Sequence, residues 1–412
     1  MWCTREYTGL KEHLEDLITY FEGTCEFCIG NMGIDQYLDE VKNILAQKDK
    51  NTDEINMLAY YVYAVILYKI ESFDDAFAAW EKAKQYAAAA GNEIFTAKIY
   101  SYLAIYYYVK KENNKVKIYF YDAVKIFEKY NLYTELALHY INILWYKRYE
   151  TDKTEVIEYL NKAYQYVKSS ESQKDARVYL HIGYIYKTIF GELERGNAYL
   201  NTARELCSRN GNKEMECMTY HTLADSYMLQ ECYDKSIEIY QNIMDNAKYK
   251  DLTANLKCMI LTNLVYCYLR VGSLEKAGTA LERMESLLPD TQVNIREQFT
   301  GTTKWLRACL YILQKEHIPE ISALLKEASA VYTNHKAHFS LEEFECRLLG
   351  TYGDYYLLKG DIGSALETYL QQERISSSYS KYAQKEAYKN LIKLYELKGD
   401  EKLAEVYKRK CN

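Results

Sequence analysis

The chain has 412 residues, with 52 Lys and Arg against 58 Asp and Glu, and its net charge of −6 argues against direct nucleic-acid binding by the chain as a whole. Hydrophobic residues at 49% and charged residues at 27% exclude the disordered class. Two prolines, Pro289 and Pro319, favour long helices joined by short connections, and the 45 tyrosines suit a thin structure in which a phenol buries its ring and keeps its hydroxyl near water.

In chain order, residues 1–52 are expected to form an N-terminal helical hairpin or cap. Leu10, Leu14, Leu17, Ile18 and Phe21 make one helical stripe, and Ile34, Leu38, Val41, Ile44 and Leu45 make a second. The start carries acids early and has no apolar core, so it does not read as a signal peptide. Between the stripes lies a glycine-rich loop with Cys25-x-x-Cys28, near Cys3 and His13 in sequence. A zinc or redox site needs a second pair or a strand–helix context, and neither is visible, so no metal and no cofactor are expected. No basic recognition helix follows the loop, which counts against a DNA-binding helix-turn-helix. The most apolar run, residues 57–67, is shorter than the ~20 residues that span a bilayer. Eleven cysteines without a secretion signal point to reduced thiols and a cytoplasmic, membrane-free protein.

From residue 53 to 412 one pattern recurs. A first helix carries an apolar-small pair and a Tyr or Leu three residues on; a second carries small, large, small. Tyr63-Ala64, Leu67, Ala76, Trp80 and Ala83 show it first. Residues 261–289 show it most completely, with Leu264 and Tyr268, then Gly272, then Ala277, Leu281 and Met284, and Pro289 closing. The fourth unit has one extra residue between its helices. The first register positions of the second helices are Ala76, Val116, Val156, Gly196, Ser236, Ala277, Ile321, Ala365 and Ala404, in steps of 40, 40, 40, 40, 41, 44, 44 and 39. Two helices of ~15 residues with short turns fill such a period, and no unit can bury its apolar face alone. The expected fold is all-α, a right-handed α-solenoid of about nine two-helix repeats.

The pattern resembles the tetratricopeptide repeat over residues 53–412, with Trp305 at that family's first-helix tryptophan and Pro289 at its closing proline. The period exceeds the family's usual ~34 residues and is similar to that of the peptide-sensing tetratricopeptide regulators of Gram-positive bacteria. The family's C-terminal-carboxylate clamp of Lys, Asn and Arg is not found in register: Tyr61, Val65 and Ile105 stand at clamp positions, which disfavours chaperone-tail binding.

Chemistry-bearing motifs are sparse. There is no Walker loop, no Gly-x-Ser-x-Gly and no His-Glu-x-x-His, so no enzyme is expected. His335-x-x-His338 reads as a surface pair. Cys217, Cys258 and Cys346 follow the repeat register and read as small core residues, as does Cys309. The stripe of the first helices that points into a superhelix groove is the candidate binding surface. By spacing it holds Tyr61 and Tyr68; Lys98, Ser101 and Tyr108; Arg177, Tyr184 and Lys187; His221 and Asp225; Thr262, Tyr266 and Arg270; then Arg347 and Asp354. Rings cover apolar side chains and cations meet carboxylates or backbone oxygens, which suits an extended peptide. The leading expectation is a non-enzymatic scaffold or signalling regulator that binds a peptide or protein segment, with a homodimer among its admissible states. The alternatives are an intracellular peptide-pheromone receptor, or the sensor region of a larger signalling protein with its output domain beyond residue 412.

Overall fold

A computed structural model describes all residues except 1, 24–30, 71, 148–152, 169–174, 335–340, 378–380 and 412. Cys25, Cys28, His335 and His338 therefore lie outside the described residues. The described residues form twenty α-helices and no strand. The first two are α1 (Trp2–Gly23) and α2 (Asn31–Leu45). Nine pairs follow. They are α3 (Asp53–Lys69) with α4 (Phe73–Ala89), α5 (Glu93–Val109) with α6 (Asn113–Lys129), and α7 (Tyr133–Lys147) with α8 (Thr154–Lys168). Next come α9 (Ala176–Ile185) with α10 (Leu193–Asn210), α11 (Lys213–Leu229) with α12 (Tyr233–Asp245), and α13 (Ala254–Arg270) with α14 (Leu274–Leu287). The last are α15 (Val293–Gln314) with α16 (Ile318–Asn334), α17 (Leu341–Leu358) with α18 (Ile362–Ser377), and α19 (Lys381–Leu397) with α20 (Glu401–Cys411). The odd-numbered member of each pair is its A helix and the even-numbered member its B helix.

Capping fixes several starts. Thr52, Asn92 and Thr253 accept from the backbone N–H of Ile55, Phe95 and Leu256, ahead of α3, α5 and α13. In A-to-B turns, Lys111, Gly191, Glu231, Gly272, Gly360 and Gly399 stand in the left-handed region, with φ between 61° and 76°. Pro289 lies in a 3-10 turn that follows α14, as its missing N–H requires. The extra residue of the fourth repeat is absorbed in a π-helical segment, Tyr186–Phe190, that extends α9 by wider turns and ends on Gly191.

The small register positions bring helices together. A Cβ on Gly183 would stand 2.8 Å from Leu200 Cγ and 2.9 Å from the Gly196 carbonyl, so α9 and α10 meet backbone to backbone. The large residue between the small ones reaches the next repeat. Trp80 stacks on Tyr102 of α5 at 4.7 Å, and Phe120 stacks on His139 of α7 at 4.2 Å. In the same way Tyr240 of α12 takes a hydrogen bond from Asn263 of α13 at 3.1 Å.

The chain divides into two compact units, Met1–Thr222 and Leu223–Asn412. The first holds α1, α2 and repeats one to four; the second holds repeats six to nine, and the boundary falls inside α11. Leu14, Leu17, Phe21, Leu38 and Val41 of the first two helices are buried in one apolar cluster with Met57, Leu58, Val62 and Val65 of α3.

Candidate functional site

In the first unit, A helices bring three of the candidate residues around one carboxylate that the sequence pattern did not single out. Tyr61 is wholly buried and its hydroxyl donates to Glu22 Oε1 at 2.5 Å. Its ring stands edge-on to Phe95 at 5.2 Å, and burial first, then the Glu22 charge, push its phenol well above the ordinary range. Lys98 lies one repeat on and donates to both Glu22 oxygens, at 3.0 and 3.3 Å, with its ammonium 5.6 Å from the Phe95 ring centre. Arg177 lies two repeats further, pairs with Asp175 at 2.6 Å, and feels Glu22 and Glu135 through space. Lys69 and Arg177 both act on His181, which burial and those cations push down to about 4.

The other first-unit candidates lie apart from this cluster. Tyr68 is half-buried among Phe73, Trp80 and Tyr102, each with its ring centre within 5.6 Å, so it is a packing residue. Tyr108 lines a cavity of about 270 Å³ near the A-to-B turns of repeats two and three, under the Lys147 ammonium at 5.4 Å; Lys147 also pairs with Glu155 at 2.7 Å. Lys187 is buried in the π-helical segment, 5.1 Å over Tyr184. His221 is half-buried on α11.

In the second unit Arg347 and Arg270 meet at the ring of Tyr266. The Arg347 guanidinium lies 5.2 Å from the ring centre of Tyr266 and 5.9 Å from that of Trp305. The two rings are themselves stacked at 6.0 Å, and Trp305 donates its indole N–H to Thr351 at 2.8 Å. Arg270 lies 5.9 Å from the ring centre of Tyr266 and forks onto Glu386 of α19 at 3.1 and 3.4 Å. Asp225 acts electrostatically on the buried Tyr240 and Cys267, whose thiol burial pushes up to about 12. Cys217, Cys258 and Cys346 are buried, and desolvation pushes the Cys258 thiol up to about 12, which makes it a poor nucleophile. Among the described residues no group of three or more His, Cys, Asp or Glu is placed to hold a metal ion, and no helix is long and apolar enough to cross a membrane.

Glu22, Glu386 and Lys389 were beyond sequence reasoning. Glu22 follows the apolar stripe of α1 by one position and reads there as a solvated residue. Its partners are 39 and 76 residues away.

Stacked helical hairpins with cations and rings collected on their A helices define the class: a tetratricopeptide-like α-repeat protein. The chain belongs to the family described as soluble NSF attachment protein, SNAP, whose profile matches residues 96–302, just over half of its length. The matched segment runs from α5 into α15. Apo RapI is 13% identical over 89% of this chain and 97% of its own, with a TM-score of 0.56, and shows the same fold. A signal transduction ATPase with a tetratricopeptide repeat sensor from Pyrococcus horikoshii is 22% identical over 73% of this chain, with a TM-score of 0.48; the chain spans 46% of that protein. A Rap protein complexed with competence and sporulation factor is 15% identical over 82% of this chain and 79% of its own, with a TM-score of 0.48. No curated protein matches the sequence.

Proposed function

We propose that the chain is a non-enzymatic cytoplasmic interaction protein that holds an extended peptide or protein segment against the A helices of its repeats and acts as a scaffold or signalling regulator. The observation that carries this reading is the collection of cations over aromatic rings on successive A helices. Lys98 lies by Phe95 in the first unit, and Arg347 and Arg270 share Tyr266 in the second. Rings of this kind cover apolar side chains, and guanidinium groups meet carboxylates and backbone carbonyls. Burial holds the thiols of Cys258 and Cys267 protonated, which makes them poor nucleophiles. Membership of a family named for attachment to another protein favours a polypeptide ligand over a small molecule.

The test is mass spectrometry of what the full chain retains when purified under native conditions, with peptides and proteins both scored. A polypeptide retained by the wild type and reduced about tenfold in Arg347→Ala supports the reading, because one charge-assisted contact is commonly worth about a factor of ten. Equal retention by Arg347→Ala and by Lys98→Ala overturns binding through the A-helix faces. A short peptide as the retained species selects the peptide-receptor form of the proposal; a folded protein selects the scaffold form.

A further inference from the structure

The carboxylate of Glu22 sits among donors that two A helices of the first unit supply. It accepts from Tyr61 at 2.5 Å and bridges Lys98 through both oxygens, at 3.0 and 3.3 Å. Glu22 and Lys98 are each about one-fifth exposed, so the pair is shielded yet reachable from solvent. The helix itself offers no reason for an acid there. Glu22 lies in the last turn of α1, at the negative end of the helix dipole, where a carboxylate is disfavoured. The surroundings supply the reason: the buried Tyr61 hydroxyl needs an acceptor, Lys98 needs a counter-charge, and Arg177 adds its field. Elsewhere α1 is held by the apolar side chains of Leu14, Leu17 and Phe21 and by an exposed pair between Lys11 and Glu54 at 2.7 Å. The shielded ionic contact between Glu22 and Lys98 is the one a carboxylate ligand would contest.

We propose that α1 is an internal occupant of the first unit's binding face, with Glu22 filling a carboxylate pocket of Lys98 and Tyr61 that a peptide carboxylate takes over on binding. The inference rests on the peptide-binding reading above and adds its regulation. The ligand and the end of α1 compete for the same donors, so binding loosens α1 and a loosened α1 raises affinity. The carboxylate belongs to a peptide C-terminus or to an acidic side chain, and both present the same two oxygens.

The test uses the full chain and three pools of random hexapeptides. One pool has free C-termini and no Asp or Glu, one is amidated with a single fixed Glu, and one is amidated with no acid. Retention is measured for the wild type, Glu22→Gln and Lys98→Met, and hydrogen exchange is followed over residues 9–22. Glu22→Gln keeps the shape of the side chain and removes its charge. We expect it to raise retention of a carboxylate-bearing pool about tenfold, to leave the acid-free pool unchanged and to speed exchange in α1. Lys98→Met should bring the carboxylate pools down to the acid-free level. Whichever carboxylate pool gains identifies the C-terminus or the side chain as the source. Retention that is equal in wild type and Glu22→Gln overturns this inference and leaves peptide binding standing. No retention of any pool by any variant overturns both.

Discussion

At the scale of single residues, the buried His139 and the half-buried His181 contribute to the response to acid. His139 lies flat on Phe120 and donates its Nε2 proton to the Phe120 carbonyl at 3.2 Å. Burial pushes it from 6.5 down to about 4, with that carbonyl working weakly the other way. The unfolded chain takes up the proton near pH 6.5 and the folded chain only near pH 4. Stability is therefore complete above pH 6.5 and falls as the pH drops between those values, by at most about 3 kcal/mol for this group. His181 acts in the same direction and, being less shielded from solvent, contributes less. Urea denaturation of wild type and His139→Phe at pH 7.5 and pH 4.5 checks the assignment: the variant should lose markedly less on acidification, and an equal loss contradicts it. Two glycines give a paired prediction on packing. A Cβ on Gly353 would stand 2.1 Å from the ring of Tyr369, which is fully buried and tethered to Asp354 at 2.9 Å. Gly353→Ala should cost about 1–3 kcal/mol through overpacking. Gly278, in α14, would meet only Leu310 at 3.8 Å, an ordinary contact, so Gly278→Ala should gain about 0.5–1 kcal/mol from helix propensity. Thermal melts of the two variants should move in opposite directions.

At the scale of elements, the A-to-B turn is the recurring device, and it accounts for much of what the sequence made legible. Gly272 has φ +74° and open space where a Cβ would go, so Gly272→Ala costs backbone strain alone, about 1 kcal/mol. A lowered denaturation midpoint with an unchanged m-value would check it, because no packing is disturbed. The period of about 40 residues was readable because each hairpin repeats the same small–large–small register, and the buried Ala76, Trp80 and Ala83 or Ala277, Leu281 and Met284 occupy it as expected. The fourth repeat's extra residue was visible as a count. Its form was not, because a π-helical segment has no sequence marker apart from the glycine that ends it. The candidate site was less legible for a physical reason. Periodicity tells which stripe of an A helix leaves the hairpin core, and it placed Lys98, Arg177, Tyr266 and Arg270 on that stripe. It does not tell what else arrives there. Tyr61 lies under α1, and Tyr68 belongs to the Trp80 and Tyr102 cluster, because tertiary neighbours bury part of the stripe that spacing leaves open.

At the scale of the whole molecule, an ordinary solenoid has contacts only between neighbouring repeats, so its end repeats open first and most easily. The second unit departs from that rule. Arg270 of repeat six forks onto Glu386 of repeat nine, 116 residues on, and Lys389 one turn later pairs with Glu231, 158 residues earlier, at the left-handed turn of repeat five. These side chains are about one-third exposed, so each pair is worth no more than about 1 kcal/mol and is weakened by salt. Their effect on the order of unfolding exceeds that figure, because they tie the last repeat to two inner ones. Opening of α19 and α20 must break both pairs as well as the packing of Tyr395 and Tyr407 on their neighbours. The expectation is that the double substitution Glu386→Gln and Lys389→Gln speeds amide exchange throughout α19 and α20 by roughly fivefold to thirtyfold, the range that ~1–2 kcal/mol sets. Exchange in α13 should stay nearly unchanged, since that helix keeps its own buried side chains Leu261, Leu264 and Val265 in the core. High salt should reproduce the effect in the wild type and add little in the variant. Exchange in α19 and α20 that is identical in both proteins at low salt would mean that the last repeat is held by nearest-neighbour packing alone. The bridges would then order only the side chains around Arg270.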